Sequence, residues 1–170
     1  MTLDRMWATW RSAYVSGTSA PDRSAMPNGC VFCALLDDGA SPESGIVYAG
    51  RHVACILNAY PYGSGHLLIL PKRHEPNLLA LTAAESTELW DVAKMAVSAL
   101  ETTYRPQGMN LGANLGEAAG AGIPAHLHLH VLPRWGGDTN FMTSIGGSRV
   151  LSESLESTWD RVTAAWPIPL

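Results

Sequence analysis

The stretch His126-Leu127-His128-Leu129-His130-Val131-Leu132-Pro133 decides how this chain folds. Histidine alternates with apolar residues, and successive side chains of a β-strand point to opposite faces of a sheet. The alternation therefore predicts a strand, ended by the proline, whose apolar side chains face a core. The three imidazoles then project together from the other face and form a candidate functional site.

The histidine face admits four interpretations: a catalytic site, a metal-binding cluster, a polar solvent face and chance. A solvent face more often mixes Lys, Thr, Glu and Ser, and catalysis is the favoured interpretation. Neutral imidazole attacks phosphorus well and then departs well, so one difficult displacement becomes two easier ones. The central position makes His128 the natural nucleophile, because a histidine on each side can bind phosphate oxygens or deliver a proton.

Further strands are predicted upstream of the histidines. Residues 46–48 and 53–57 flank Gly50-Arg51, a pattern typical of a hairpin with a two-residue turn. A buried strand ended by proline is predicted for residues 66–71, and another strand near 109–115.

Helices are predicted in three places. Apolar residues recur at helical spacing over 3–14 and again over 151–166. Between them, Thr82-Ala83-Ala84-Glu85 has capping-box spacing ahead of a long helix that must end before Pro106. The order of helices and strands indicates an α+β domain with a mainly antiparallel sheet.

The length of 170 residues fits a single domain. We expect an N-terminal helix and loop over 1–29, a core over 30–135 and a C-terminal extension over 136–170. The net charge of −4 argues against a nucleic-acid partner, because binding to a phosphate backbone usually needs a basic stripe. No export signal and no apolar run of about 20 residues is visible, which predicts a cytoplasmic protein without a membrane partner.

Cysteine usage points to a metal rather than to disulfides. Two residues separate Cys30 from Cys33, and this spacing favours metal ligands over a redox pair. A metal site needs two more ligands. Cys55 lies inside an apolar strand and is expected in the core.

The loop over 114–124 is rich in glycine and alanine and leads into the histidine strand. Its backbone N–H groups can wrap phosphate oxygens, although glycine-rich turns are more often only turns. Because the loop leads directly into the histidines, the interpretation that it binds phosphate becomes stronger.

Two motifs resemble a known family. The alternating histidines are similar to the motif of the histidine-triad (HIT) family, and residues 65–74, Gly-His-Leu-Leu-Ile-Leu-Pro-Lys-Arg-His, resemble its other signature strand. Residues 6–14, 57–62 and 133–142 look like the branch that contains bacterial diadenosine tetraphosphate phosphorylases and related hydrolases. The resemblance implies the HIT fold, with a five-stranded sheet and a long helix.

The resemblance also implies roles for individual residues. It makes His128 the nucleophile, His126 and His130 its triad partners, and His66 a fourth histidine near the active site. It places the remaining substrate-binding residues on the ribose hydroxyls and the phosphates: Asn58 for the ribose, and Asn114, Gly120, Gly122 and Ile123 for phosphate. The family often has Ser or Thr close to Ile123, and this chain has none there.

In zinc-containing relatives the remaining metal ligands correspond to His74 and His126, which with Cys30 and Cys33 complete a structural zinc site. No organic cofactor is implied. The resemblance further implies a homodimeric enzyme that attacks the α-phosphate of an adenine nucleotide derivative by hydrolysis or phosphorolysis. Alternatives are a biosynthetic enzyme acting on another nucleotide conjugate, a non-catalytic nucleotide-binding protein and a zinc-stabilised interaction module.

Overall fold

The computed structural model describes residues 29–138 and 152–167. These residues contain one five-stranded sheet in which every pair of neighbouring strands is antiparallel. In the order β1-β2-β3-β5-β4 across the sheet, its strands are β1 (Ile46–Ala49), β2 (Val53–Leu57), β3 (Leu67–Pro71), β5 (Leu129–Arg134) and β4 (Gly108–Gly112). The α+β class and the five-stranded antiparallel sheet are thereby confirmed.

The described helices are α1 (Val31–Asp38), α2 (Ala83–Tyr104) and α3 (Leu155–Ala164), with short 3-10 turns at Leu78–Ala80 and Glu117–Ala119. The sequence predicted α2 and α3 but missed α1. The predicted helix over residues 3–14 lies outside the described residues. No helix of the described ranges has the length and apolar content needed to cross a membrane.

The capping box at the start of α2 forms as predicted. The Thr82 hydroxyl accepts from the amide of Glu85, and the Glu85 carboxylate accepts from the amide of Thr82. The helix ends at Arg105, which adopts a left-handed conformation (φ 47°), immediately before Pro106. These two ends fix the long helix across the sheet, where its buried face lies on β2, β3 and β5.

The two faces of the sheet have different neighbours. On β5, Leu129 and Val131 belong to the main core with α2 and α3. A smaller core on the opposite face contains Phe32 of α1 with residues of the first three strands. Because side chains alternate along a strand, His130 points to the α1 side. Cys55 is fully buried in the main core, as predicted.

Two local predictions are wrong. The β1–β2 hairpin forms as predicted, but its loop has three residues, Gly50 to His52. The Glu88 carboxylate accepts from the amides of His52 and Val53 there. The last strand begins at Leu129, so two of the three histidines precede it. Leu127 donates its amide to the carbonyl of Glu75 in a loop, outside the sheet ladder.

We expect replacement of Glu85 by Gln to lower the free energy of unfolding in a pH-dependent manner. Hydrogen bonds from the Arg73 guanidinium and then from the Thr82 amide hold the pKa of Glu85 at about 2, below its ordinary 4.5. The carboxylate therefore stabilises the fold above about pH 4.5, and this stabilisation is lost as the pH falls towards 2.

Urea unfolding of the wild type and of Glu85→Gln across this pH range measures the effect. The difference between the two proteins should shrink as the pH falls. Glu101→Gln, at an exposed position of the same helix, is the matched control and should show no such trend. A Glu85→Gln difference that stays constant into acid would contradict the proposed contribution.

Candidate functional site

A cleft of about 270 Å³ opens on the α1 side of the sheet. It brings together seven residues that the sequence singled out, from three separate parts of the chain: Asn58, Asn114, Gly120, Gly122, Ile123, His128 and His130. Its lining combines apolar side chains with imidazole and amide groups. Such a cleft suits a ligand with a flat apolar part and a charged or polar part.

The apolar lining of the cleft depends on the helix that the sequence did not reveal. Val31, Phe32 and Leu35 of α1 line it opposite Ile56 and Leu68 of the sheet. Their side chains present carbon surface to the cleft and offer no hydrogen-bonding groups. This wall can therefore take an aromatic base by packing.

The glycine-rich loop also lines the cleft. It contains a 3-10 turn, after which Gly120 adopts a left-handed conformation with φ 90°. The amide of Gly120 donates to the carbonyl of Glu117 at 2.9 Å, and that of Ala121 donates to the carbonyl of Gly116 at 3.3 Å. These two amides are used by the turn itself.

His128 is buried, and its tautomer is set by the backbone. Its Nδ1 lies 2.8 Å from the carbonyl oxygen of His126, which can only accept, so Nδ1 carries the proton and Nε2 carries the lone pair. Burial lowers the pKa of His128, and the hydrogen bond to that carbonyl opposes the effect. The result is a neutral imidazole with a nucleophilic nitrogen in the wall of the cleft.

His130 and His66 form a pair beside it. Their rings join through His66 Nε2 and His130 Nδ1, which are 2.9 Å apart. His130 lines the cleft with its ring centroid 5.1 Å from that of His128, whereas His66 is 1% exposed and lies behind His130.

Gly65 makes the position of His66 possible. Its φ is +75°, and a Cβ there would lie 2.8 Å from Tyr104 Cε2 and 3.0 Å from Leu100 Cδ2. A larger residue at position 65 would have a strained backbone and would overlap these two side chains, so glycine is required immediately before His66.

Two aromatic residues of the site were missed by the sequence. Tyr62 stacks on His130, with ring centroids 5.8 Å apart and an interplanar angle of 18°. Phe32 meets His126 and His128 edge-on, with ring centroids 5.5 Å and 5.3 Å away. The signals in the sequence were weak, because Tyr62 is an aromatic residue in a turn before a histidine and Phe32 lies between two cysteines.

A Cys/His cluster lies next to the cleft. The ligand atoms of Cys30, Cys33, His74 and His126 are all within 4.8 Å of one another. Cys30 Sγ and Cys33 Sγ lie 3.4 Å and 3.8 Å from His126 Nδ1, and Cys33 Sγ lies 3.3 Å from His74 Nδ1.

These separations fit a tetrahedral metal ion. Bonds of about 2.0–2.3 Å in such a site place ligand atoms about 3.3–3.8 Å apart. His126 Nε2–H donates to the carbonyl of Pro71 at 2.8 Å, which leaves Nδ1 as the coordinating nitrogen. The cluster can therefore hold a metal ion with four protein ligands.

A comparison with family models matches residues 41–137 to the HIT domain. The chain belongs to the HIT family. This membership confirms the resemblance that the two motifs indicated.

Relatives agree with the HIT assignment. An AP-4-A phosphorylase of Mycobacterium tuberculosis is 40% identical over 96% of this chain and 85% of that protein. A histidine triad nucleotide-binding protein of Sulfolobus tokodaii matches 80% of this chain and 91% of its own, with TM-score 0.65 and 28% identity. A Zn-bound histidine triad family protein of Mycobacterium smegmatis covers the same shares, with TM-score 0.64 and 28% identity.

Proposed function

We propose that this HIT protein cleaves a nucleotide derivative at its α-phosphate through a covalent nucleotidyl intermediate on His128. The observation that carries the proposal is the tautomer of this residue. The carbonyl of His126 holds the proton on Nδ1, so the lone pair of Nε2 is available in a cleft with one apolar wall. A nucleophile aimed at a phosphate needs this combination of a neutral ring and an adjoining site for the base.

The reaction has two displacements at phosphorus. In the first, a bond forms between His128 Nε2 and the α-phosphorus, and the bond from phosphorus to the leaving-group oxygen breaks. In the second, an acceptor oxygen attacks the same phosphorus and the bond to Nε2 breaks, which restores the imidazole. The base would pack against Val31, Phe32 and Leu35, which keeps the phosphate within reach of the nucleophile throughout.

The amides of the cleft complete the proposed substrate site. Asn58 would bind the ribose hydroxyls, because an amide both donates and accepts. Asn114 would contact phosphate. Backbone groups of Gly122 and Ile123 would contact it as well, because this chain has no Ser or Thr hydroxyl close to Ile123.

A relative that matches nearly the whole chain supports a choice of substrate class and acceptor. That protein is an AP-4-A phosphorylase, at 40% identity. We therefore favour diadenosine tetraphosphate as substrate and inorganic phosphate as acceptor. The first displacement releases ATP, and attack by phosphate on the adenylyl group releases ADP.

Incubation of the purified protein with diadenosine tetraphosphate, with and without inorganic phosphate, tests the activity. We expect ADP and ATP in equal amounts only when phosphate is present. His128→Ala should lower turnover by at least about 10³-fold, because no other group replaces the nucleophile. His52→Ala, in the loop between β1 and β2, is the matched control and should retain wild-type turnover.

Other outcomes of this experiment discriminate between the alternatives. Release of AMP without phosphate would assign a hydrolase instead of a phosphorylase. Absence of turnover by the wild type, or equal turnover by His128→Ala, would contradict the proposed reaction.

The Cys/His cluster would hold a structural Zn²⁺, because two thiolates and two imidazoles are a donor set that zinc prefers and four protein ligands leave no open position. The ion would fasten α1 to the segment that carries His128. The reduced thiols that a zinc site needs agree with the predicted cytoplasmic location.

Elemental analysis of the purified protein should find one zinc per chain, and a chelator should lower its melting temperature. His74→Ala removes one ligand from outside the cleft and should reduce the bound zinc to less than about half. His52→Ala should leave the zinc content unchanged. A wild-type protein that binds no zinc, or a His74→Ala protein with full zinc, would overturn the assignment.

A homodimer is the remaining part of the proposal. Strand β4 pairs with β5 on one side and, within the described residues, forms the edge of the sheet. Leu111 on this strand and Leu115 beyond it are 41% and 52% exposed. An exposed apolar edge strand invites pairing with another chain. We expect β4 and α2 to contribute to the contact.

Sedimentation analysis of the wild type should give the mass of two chains. Leu111→Glu would place a charge in the contact and shift the protein towards monomer. Leu79→Glu, at a position that is 91% exposed on a 3-10 turn, should leave the mass unchanged. A monomeric wild type would contradict the dimer.

A further inference from the structure

Cys30 and Cys33 lie at the start of helix α1, close enough to each other to form a disulfide. Cys30 is the N-cap of the helix and Cys33 is its third residue, and their sulfur atoms lie within 4.8 Å of each other. Helical geometry places the Cα atoms of two such positions about 5 Å apart, inside the range of about 4.4–6.8 Å that disulfides use. The two sulfurs can therefore bond after side-chain rotation, without unwinding of the helix.

The three cysteines of the chain differ in their access to solvent. Cys33 is partly exposed, whereas Cys30 is 3% exposed. A small oxidant such as hydrogen peroxide therefore reaches the Cys33 sulfur first, and Cys30 is within reach to complete the bond. Cys55 is fully buried in the main core, and burial raises the pKa of its thiol, so this third cysteine stays unreactive.

The Cys/His cluster fastens the first turn of α1 to two distant segments of the chain. Cys30 Sγ lies 3.4 Å from His126 Nδ1, and Cys33 Sγ lies 3.3 Å from His74 Nδ1. Of the eight residues of the helix only Phe32 is buried. The cluster is therefore a large part of what holds α1, and with it the apolar wall of the cleft, in place.

We propose that Cys30 and Cys33 are a thiol–disulfide switch for the nucleotide site, in which oxidation by a peroxide joins the two sulfurs, releases the metal ion and loosens the α1 wall of the cleft. The proposal rests on the proposed function for the identity of the metal and of the nucleotide. The disulfide itself rests only on the placement of the two cysteines at the start of α1.

The chemical step is a two-electron oxidation of the two thiolates. The Cys33 thiolate attacks one oxygen of hydrogen peroxide, the O–O bond breaks, and a sulfenic acid and a hydroxide ion result. The Cys30 thiolate then attacks the Cys33 sulfur, which forms the disulfide and displaces a second hydroxide. The peroxide has taken up both electrons, and its two hydroxides become water by binding two protons. A dithiol reductant reverses the step by thiol–disulfide exchange.

The disulfide removes two of the four ligands of the cluster, because a metal ion binds the thiolate form of cysteine. The imidazoles of His74 and His126 remain, and a structural zinc site needs four ligands. Without the ion the first turn of α1 is no longer fastened to either histidine. Because Phe32 both lines the cleft and meets the ring of His128, movement of α1 weakens the binding of a nucleotide.

Treatment of the zinc-loaded wild-type protein with hydrogen peroxide tests the switch without any substrate. Thiol titration should show the loss of two of the three thiols, and a zinc-binding dye should detect one ion released for each disulfide formed. Mass spectrometry should find a peptide that contains Cys30 and Cys33 and is lighter by two hydrogen atoms. Retention of zinc after the bond has formed, or oxidation without this bond, would overturn the switch. A reduced protein that takes up no zinc would contradict the metal assignment before peroxide is added.

Calorimetric titration with AMP tests the effect of oxidation on the cleft. We expect the oxidised protein to bind AMP at least about 10-fold more weakly than the reduced, zinc-loaded protein. A dithiol reductant with added zinc should restore the affinity. Equal binding before and after oxidation would contradict the switch alone, whereas a reduced protein that does not bind AMP would contradict the proposed function.

Three variants separate formation of the disulfide from loss of the metal. Cys33→Ser lacks one of the two sulfurs and should form no intramolecular disulfide. His74→Ala keeps both sulfurs but lacks a metal ligand, so it should bind AMP weakly even before oxidation. Cys55→Ala is the matched control and should form the disulfide and release zinc as the wild type does. A Cys55→Ala protein that resists peroxide, or a His74→Ala protein with little zinc and full AMP affinity, would overturn the proposal.

Discussion

The imidazole and backbone of His126 form the junction on which the site depends. The buried ring donates through Nε2 to the end of β3 at Pro71 and presents Nδ1 to the thiols of Cys30 and Cys33. Its carbonyl accepts the Nδ1 proton of His128. A buried polar group left without partners costs about 1–3 kcal/mol, so each of these bonds constrains the others. The same residue therefore helps to set where α1 lies and which nitrogen of the His128 ring carries the proton.

The sequence predicted the parts of the fold that have strong periodic or capping signals. The capping box of Thr82 and Glu85 and the proline after the helix determine both ends of α2, so its range was readable. Alternation in the last strand correctly indicated that His130 faces away from the main core. Seven of the sixteen residues that line the cleft were also identified, because histidines, amides and glycines are chemically conspicuous in the chain.

The parts that escaped prediction depend on contacts distant in sequence. Helix α1 has only eight residues, and because the first six are all apolar no alternation of apolar and polar residues marks a helical period. The histidine strand starts late because Leu127 pairs with the carbonyl of Glu75 rather than with the sheet. Ring tautomers follow from single carbonyls and amides, and no residue type in the sequence reveals those. Spacing therefore identified the histidines but could not show which nitrogen of the His128 ring carries the proton.

Phe32 lies between the two cysteines in the chain, and its ring meets both His126 and His128 while it lines the cleft. The Phe32 side chain thus contacts the Cys/His cluster and also lines the cleft. Thermodynamic linkage then applies: the factor by which a metal ion changes affinity for the nucleotide equals the factor by which the nucleotide changes affinity for the metal. If the metal increases the affinity for the nucleotide, protein molecules with bound nucleotide are the last to lose their metal ion when the metal becomes scarce.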